Sequence, residues 1–359
     1  GFTSLVNPGE IPLRDQFDNP FNGRAPLPGW ESKYDLLGML PSKDVPRFIN
    51  PESGALATAN SNFLPNGYPV HMTYDWAEPY RQTRVEDLVI GTTKTHTTDL
   101  SREIMSDTTS LPLLKLAELS KNSIPASAGR KGDIVKAIQE WDGRMDADKP
   151  EPIIMMAWFR HLHDAIFADD LGNRYEGFGR ARITRVLGVL SEGTSRDWCD
   201  NIDTAETETC SQIMQSALDT AIEELDGLQG ADWVKWEYGK EHTALHSHRP
   251  FGQVEPLAQF FNIEFPFAGG PYTLHRAQID FREKDGPYKA RWGGAYRAVY
   301  DFSNLNKSIF IQGTGQSGHV MSSNYRDFAA KWQNSEFVPM STDPGDYNQG
   351  AIGTWKFRP

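Results

Sequence analysis

From Arg81 to about residue 230, apolar residues recur at three- and four-residue intervals, the spacing that gives a helix one apolar face. Val85, Leu88 and Val89 begin the pattern, and residues 111–119, 134–141, 153–167 and 213–225 repeat it. The spacing predicts a mainly helical region over 81–230. The flanks read differently. Residues 1–80 are rich in Gly, Pro and Asn, with short runs such as 55–59 that suit a strand. Residues 231–359 hold short alternating stretches, among them 278–281, 296–302 and 308–312, cut by Gly, Pro and Asp turns, which predicts a β-rich region. At 359 residues and 38% hydrophobic, the chain is long enough to bury a sizeable core. No fixed-period repeat or low-complexity linker separates the three regions, so an α+β fold packed as one body is expected.

Charge and cysteine usage narrow the partners. A net charge of -12, from 48 acidic and 36 basic residues, leaves no basic run to neutralise a phosphate backbone, so no nucleic-acid partner is expected. The longest purely apolar run, 153–159, is far short of the roughly 18 to 20 residues that cross a bilayer, so no membrane span is expected. Residues 1–14 show no initiator Met, basic stretch or apolar signal core, so a targeting signal is expected outside these residues. Cys199 and Cys210 bound the polar segment WCDNIDTAETETC. An even pair closing a short surface loop suits a disulfide in an oxidising compartment, and two reduced cytosolic thiols is the other reading.

Motif by motif, the chemistry is sparse. GTGQSG at 313–318 satisfies G-x-G-x-x-G after the strand-like KSIFI, but neither a good opening helix nor a second parallel strand with an acidic ribose ligand follows. A Gly-rich turn, with no organic cofactor, is the better reading. EHTALHSH offers His242 and His246 four apart, a zinc spacing if helical, yet Arg249 and Pro250 end any helix nearby and hydrogen-bonded structural histidines are the commoner outcome. His161 with His163, and Asp169 with Asp170, diverge on a helix. There is no G-x-S-x-G elbow.

Several segments, read in order, do resemble a known family. GEIPLR at 9–14, GRAPLPGW at 23–30, KYDLLGMLP at 33–41, PRFINPESGALATANSN at 46–62, YDWAEPYRQTRVEDL at 74–88, WDGRM at 141–145 and GTGQSGHVMSSNYRDFAAKW with EFVPM at 313–340 look like the β-chain of the penicillin acylase family of N-terminal-nucleophile hydrolases. The resemblance covers nearly the whole chain. It implies part of an αββα sandwich, completed by upstream segments: 1–80 supplying strands and loops of that core, 81–230 the helical cover, 231–359 a β-rich lobe.

In such enzymes the nucleophile is the first residue of the mature β-chain, a Ser whose own α-amino group acts as base. Gly1 cannot serve, so the resemblance implies a nucleophile well upstream of residue 1, with the α-chain and the N-terminal part of the β-chain as partners and this chain inactive alone. The substrate would be a small N-acyl compound: a β-lactam side chain, an N-acyl homoserine lactone or an acylated peptide. The compartment would be periplasmic or extracellular. By the same resemblance Asn60 is the oxyanion-hole residue, a carboxamide N–H being worth on the order of 3 kcal/mol to a tetrahedral oxyanion, and Arg84 supports it. A structural Ca²⁺ would draw on the carbonyl of Gly23 and the carboxylate of Asp75. Two rivals stand beside this: a non-catalytic interaction subunit that kept the fold, and a zinc enzyme built on His242 and His246.

Overall fold

A computed structural model describes all residues except 1–2, 8, 16–23, 179–181, 193–196, 284, 350, 352 and 359. Residues 1–94 and 95–359 form two compact units.

In the first unit, β1 (Ser4–Val6) pairs antiparallel with β4 (Arg47–Ile49), and β2 (Pro12–Leu13) with β3 (Gly38–Met39), before a long irregular stretch leads to α1 (Tyr80–Val89). The stretch 55–59, which composition marks as a strand, joins no sheet among the described residues. Its backbone groups are satisfied by helix side chains: the Ala59 N–H donates to Gln82 Oε1 at 2.7 Å, and Gln82 Nε2 donates to the Ala57 carbonyl at 3.0 Å. Once a helix terminus satisfies these donors and acceptors, no neighbouring strand is needed to keep them paired.

In the second unit, α2 (Thr98–Met105) precedes α3 (Leu111–Ser123), α4 (Arg130–Glu140), α5 (Glu151–Leu171), α6 (Ile183–Glu192) and α7 (Cys210–Gln229). α5 is the axle of this group. Residues 153–159 are fully buried, which an apolar run can be only when neighbours cover every side of its helix. α7 lies along it, burying Ile213, Met214, Ala217, Leu218, Ala221, Ile222 and Leu225, and Trp158 Nε1–H donates to the Met214 carbonyl at 2.9 Å. A capping box of Thr209 and Gln212 starts α7, where the disulfide between Cys199 and Cys210 ties the preceding loop to the helix. The apolar spacing over 111–119, 134–141, 153–167 and 213–225 therefore forms the expected helices.

The β-rich part holds α8 (Tyr238–Glu241), β5 (Thr243–His246), α9 (Ala258–Phe261), β6 (Ile263–Pro266), β7 (Ala277–Gln278), β8 (Trp292–Gly293), β9 (Tyr296–Val299), β10 (Ile309–Gln312), α10 (Ala329–Gln333), β11 (Val338–Pro339) and α11 (Pro344–Tyr347). β5 pairs with β6, β7 with β8, and β10 lies between β9 and β11, all antiparallel. GTGQSG is a turn, and two of its glycines, Gly313 and Gly315, serve packing. A Cβ on Gly313 would stand 2.3 Å from His246 Cε1, and one on Gly315 1.9 Å from the Asn324 carbonyl oxygen. The class is α+β, as expected. Helical and β-rich regions share one unit, while α1 belongs to the other. No helix among the described residues is long and apolar enough to cross a membrane.

Candidate functional site

Asn60 sits in a bend with φ of 66°, a left-handed conformation that Asn tolerates better than most residues. Its neighbours Ala59 and Ser61 are buried at 7% and 6%, whereas Asn60 is exposed, so the bend turns this one side chain outward. Its carbonyl accepts from the Ala77 N–H at 2.9 Å. The first turn of α1 clamps the bend. Arg81 Nη2 donates to the Ala59 carbonyl at 2.9 Å and to Asn60 Oδ1 at 3.1 Å, and Gln82 holds Ala57 and Ala59 as described.

The electrostatic consequence is directional. A guanidinium only donates, so the amide edge facing Arg81 has to be the oxygen and Nδ2 points away. Nδ2 meets no acceptor among the described residues. The bend also lies against the N-terminal turn of a helix, where unpaired N–H groups carry partial positive charge. An oriented amide donor, a fixed cation and a helix N-terminus on one loop favour negative charge developing beside them.

Arg84, the arginine singled out by resemblance, is half-buried one turn further along α1; the contact that the structure gives Asn60 comes from Arg81. Arg81 is the residue sequence reasoning missed, and the pair of arginines in PYRQTR is the only signal that pointed near it.

Of the two possible calcium ligands, Asp75 falls among the described residues. Gly23 lies outside the described residues. Asp75 is exposed and faces a guanidinium, Arg24 Nη2 at 3.3 Å, with Arg24 also over the Tyr74 ring at 4.9 Å. A cation at Asp75 would have to displace Arg24 and gather several more oxygens.

The histidine pair does not reach zinc geometry either. α8 ends at Glu241 and β5 begins at Thr243, so His242 and His246 lie on different elements instead of one helical face. His242 Nδ1–H donates to the Tyr288 carbonyl at 2.5 Å and its ring stacks on Tyr238 at 4.4 Å, while His246 packs against Trp332. Burial drives the His242 pKa down to about 4, against a weaker upward pull from the Tyr288 carbonyl. Among the described residues, the one group of three ligating side chains within reach of a common ion is Asp197, Cys199 and Cys210, and both cysteines are spent in the disulfide.

A second polar network lies between α5 and α7. Glu224 accepts from Arg160 Nη1 at 2.8 Å, from Tyr288 Oη at 2.9 Å and from His161 Nε2 at 2.6 Å. Burial would raise its pKa, but the hydrogen bond from His161, the Arg160 charge and the Tyr288 hydroxyl outweigh that and hold it below the usual carboxylate range. A carboxylate with every neighbour donating to it is a structural anion, unsuited to take a proton at neutral pH.

Residues 1–349 match the penicillin amidase family. The acyl-homoserine lactone acylase QuiP of Pseudomonas syringae pv. syringae (strain B728a) is 25% identical over 348 residues, which is 91% of this chain and 42% of that protein. The penicillin acylase 2 proenzyme of Pseudomonas sp. (strain SE83) is 26% identical over 329 residues, 89% of this chain and 40% of that one. Among solved structures, a thermostable penicillin G acylase from Alcaligenes faecalis is similar with a TM-score of 0.65 at 16% identity, covering 100% of this chain and 66% of its own, a likeness of fold. The chain thus spans about two fifths of the curated relatives it matches.

Proposed function

Because the chain belongs to the penicillin amidase family, we propose that it is part of the β-subunit of an acylase that hydrolyses the amide bond of a small N-acyl compound. Asn60 supplies an oxyanion-hole donor, and the attacking group comes from polypeptide outside these 359 residues. The observation that carries this reading is the Arg81 contact to Asn60 Oδ1, which turns the amide donors of an exposed side chain outward. Attack on an amide carbonyl moves a full negative charge onto its oxygen, and a pre-aimed N–H stabilises that charge without reorganising in the transition state. Arg81 acts through Asn60, as a positioning residue. The relatives' names point to a β-lactam side chain or an N-acyl homoserine lactone as substrate. The Cys199–Cys210 disulfide supports a periplasmic or secreted compartment, where such bridges persist.

The test is to purify the native protein, sequence the amino terminus of any copurifying polypeptide, and assay deacylation of an acyl-homoserine lactone and of penicillin G. A partner beginning with Ser, Thr or Cys is expected. In that assembly Asn60→Ala should cut turnover about a hundredfold or more with the circular dichroism unchanged. No such partner and no deacylation would leave a non-catalytic subunit as the reading; unchanged turnover would remove Asn60 from the reaction.

A further inference from the structure

The β-rich part of the second unit forms a partly open pocket that the amide chemistry leaves unused. β5, the β7–β8 hairpin and Trp332 of α10 surround a cavity of about 180 Å³. Ala244, Ala277 and Ala290 line it and are buried. They occupy strand or bridge positions, where β-branched side chains ordinarily fill the layer and alanine is depleted. Their methyl side chains leave the space unfilled. The walls are aromatic: Phe267 and Trp332 stack at 4.5 Å with planes 6° apart, and Trp292, 47% exposed, stands at the opening.

Two polar side chains, His246 and Arg291, border this space. His246 meets Trp332 edge-on at 5.1 Å, and its buried Nε2 has no hydrogen-bond partner among the described residues. Burial lowers the pKa of His246, so the ring is neutral near pH 7 and one of its nitrogens is an acceptor. Arg291 donates from Nη2 to the carbonyls of Asp285 and Gly286 and faces Glu283 at 3.6 Å, which compensates its charge, while its buried Nε has no hydrogen-bond partner among the described residues.

A dry apolar cavity of about 150 Å³ takes up one benzene ring. We propose that this cavity is a binding site for a small neutral aromatic molecule of one ring with a single hydrogen-bond donor, of the phenol class, its ring against the Phe267–Trp332 stack and its hydroxyl donating to His246. A second fused ring exceeds the space, and an anionic ring finds no uncompensated cation.

The experiment titrates the full 359-residue chain with phenol, toluene, 1-naphthol and benzoate, reading tryptophan fluorescence and the thermal midpoint. Phenol should bind saturably, about tenfold or more tighter than the other three, and His246→Phe should erase its advantage over toluene while leaving toluene unchanged. Ala277→Leu should abolish binding. Because a leucine at that buried position can unfold the chain, Ala295→Leu at the exposed rim gives a second arm, and it too should weaken phenol about tenfold or more. No saturable response to phenol, a response indifferent to Ala295→Leu, or toluene, naphthol or benzoate binding as tightly as phenol overturns the assignment. Phenol binding is read without any deacylation assay, so it fails or holds apart from the hydrolytic reading.

Discussion

Acidification from pH 7 to 4.5 should destabilise the second unit by about 5 kcal/mol through two histidines. His242 is fully buried, stacked on Tyr238 with Nδ1–H on the Tyr288 carbonyl, and burial brings its pKa from 6.5 to about 4. His275, 3% exposed against Phe267 at 4.7 Å, falls to about 3, through burial first and then the positive charges of Arg297 and His242. Arg297 itself, buried without a carboxylate partner among the described residues, donates to the carbonyls of Gly294 and Trp332. Both histidine pKa values are depressed on folding, so below pH 6.5 the unfolded chain binds protons that the folded chain refuses. The stabilisation is present above 6.5 and is lost as pH falls. Each group contributes at most about 1.4 kcal/mol per pH unit, hence about 2 to 3 kcal/mol over the two units from 6.5 to 4.5. A total of about 5 kcal/mol is comparable to the whole stability of many domains. Glu241, whose pKa burial raises, works in the opposite sense. Urea unfolding followed by circular dichroism at half-unit steps measures this. His242→Phe keeps the stacked ring and His275→Phe keeps the aromatic contact, and each should flatten the pH dependence by about 1.4 kcal/mol per unit. A double variant whose slope between pH 6 and 4.5 equals that of the parent would refute the reasoning.

Three further outcomes follow from named contacts. In the complete enzyme, Arg81→Ala should lower turnover about tenfold or more with little change in KM, and should cost nothing further on top of Asn60→Ala, because the two act as one unit; additive losses would separate them. Cys199→Ser should lower stability by about 3 kcal/mol from the lost closure of a short loop, read as a lower urea midpoint, and reduction should add about two mass units to the parent chain; an unchanged mass would mean free thiols. Glu224→Gln, which leaves Arg160 and His161 without their carboxylate in a half-buried network, should cost about 3 kcal/mol. An unshifted midpoint would show the network to be without net stabilising effect.

The parts of the chain legible in the sequence are those decided by local period. An apolar run such as 153–159 has to be buried on every side, and α5 is; the polar loop between two cysteines has to be short enough to close, and it is. What escaped was decided by who satisfies whom at a distance. Residues 55–59 carry strand composition, but a strand needs a neighbour, and here side chains from the start of α1 take the same backbone groups. His242 and His246 keep helical spacing in the sequence, yet the helix stops at Glu241, before both of them, and the alternation from Thr243 onward wins. The choice between Arg81 and Arg84 turns on a smaller matter still. Both lie near one face of α1, and helical side chains lean toward the N-terminus. Because α1 begins at Tyr80, Arg81 stands in its first turn and leans out past the helix end onto the Asn60 bend, whereas Arg84 starts about 4.5 Å further along the axis. A helix beginning one turn later would exchange their positions, and terminal residues are what sequence patterns locate least well.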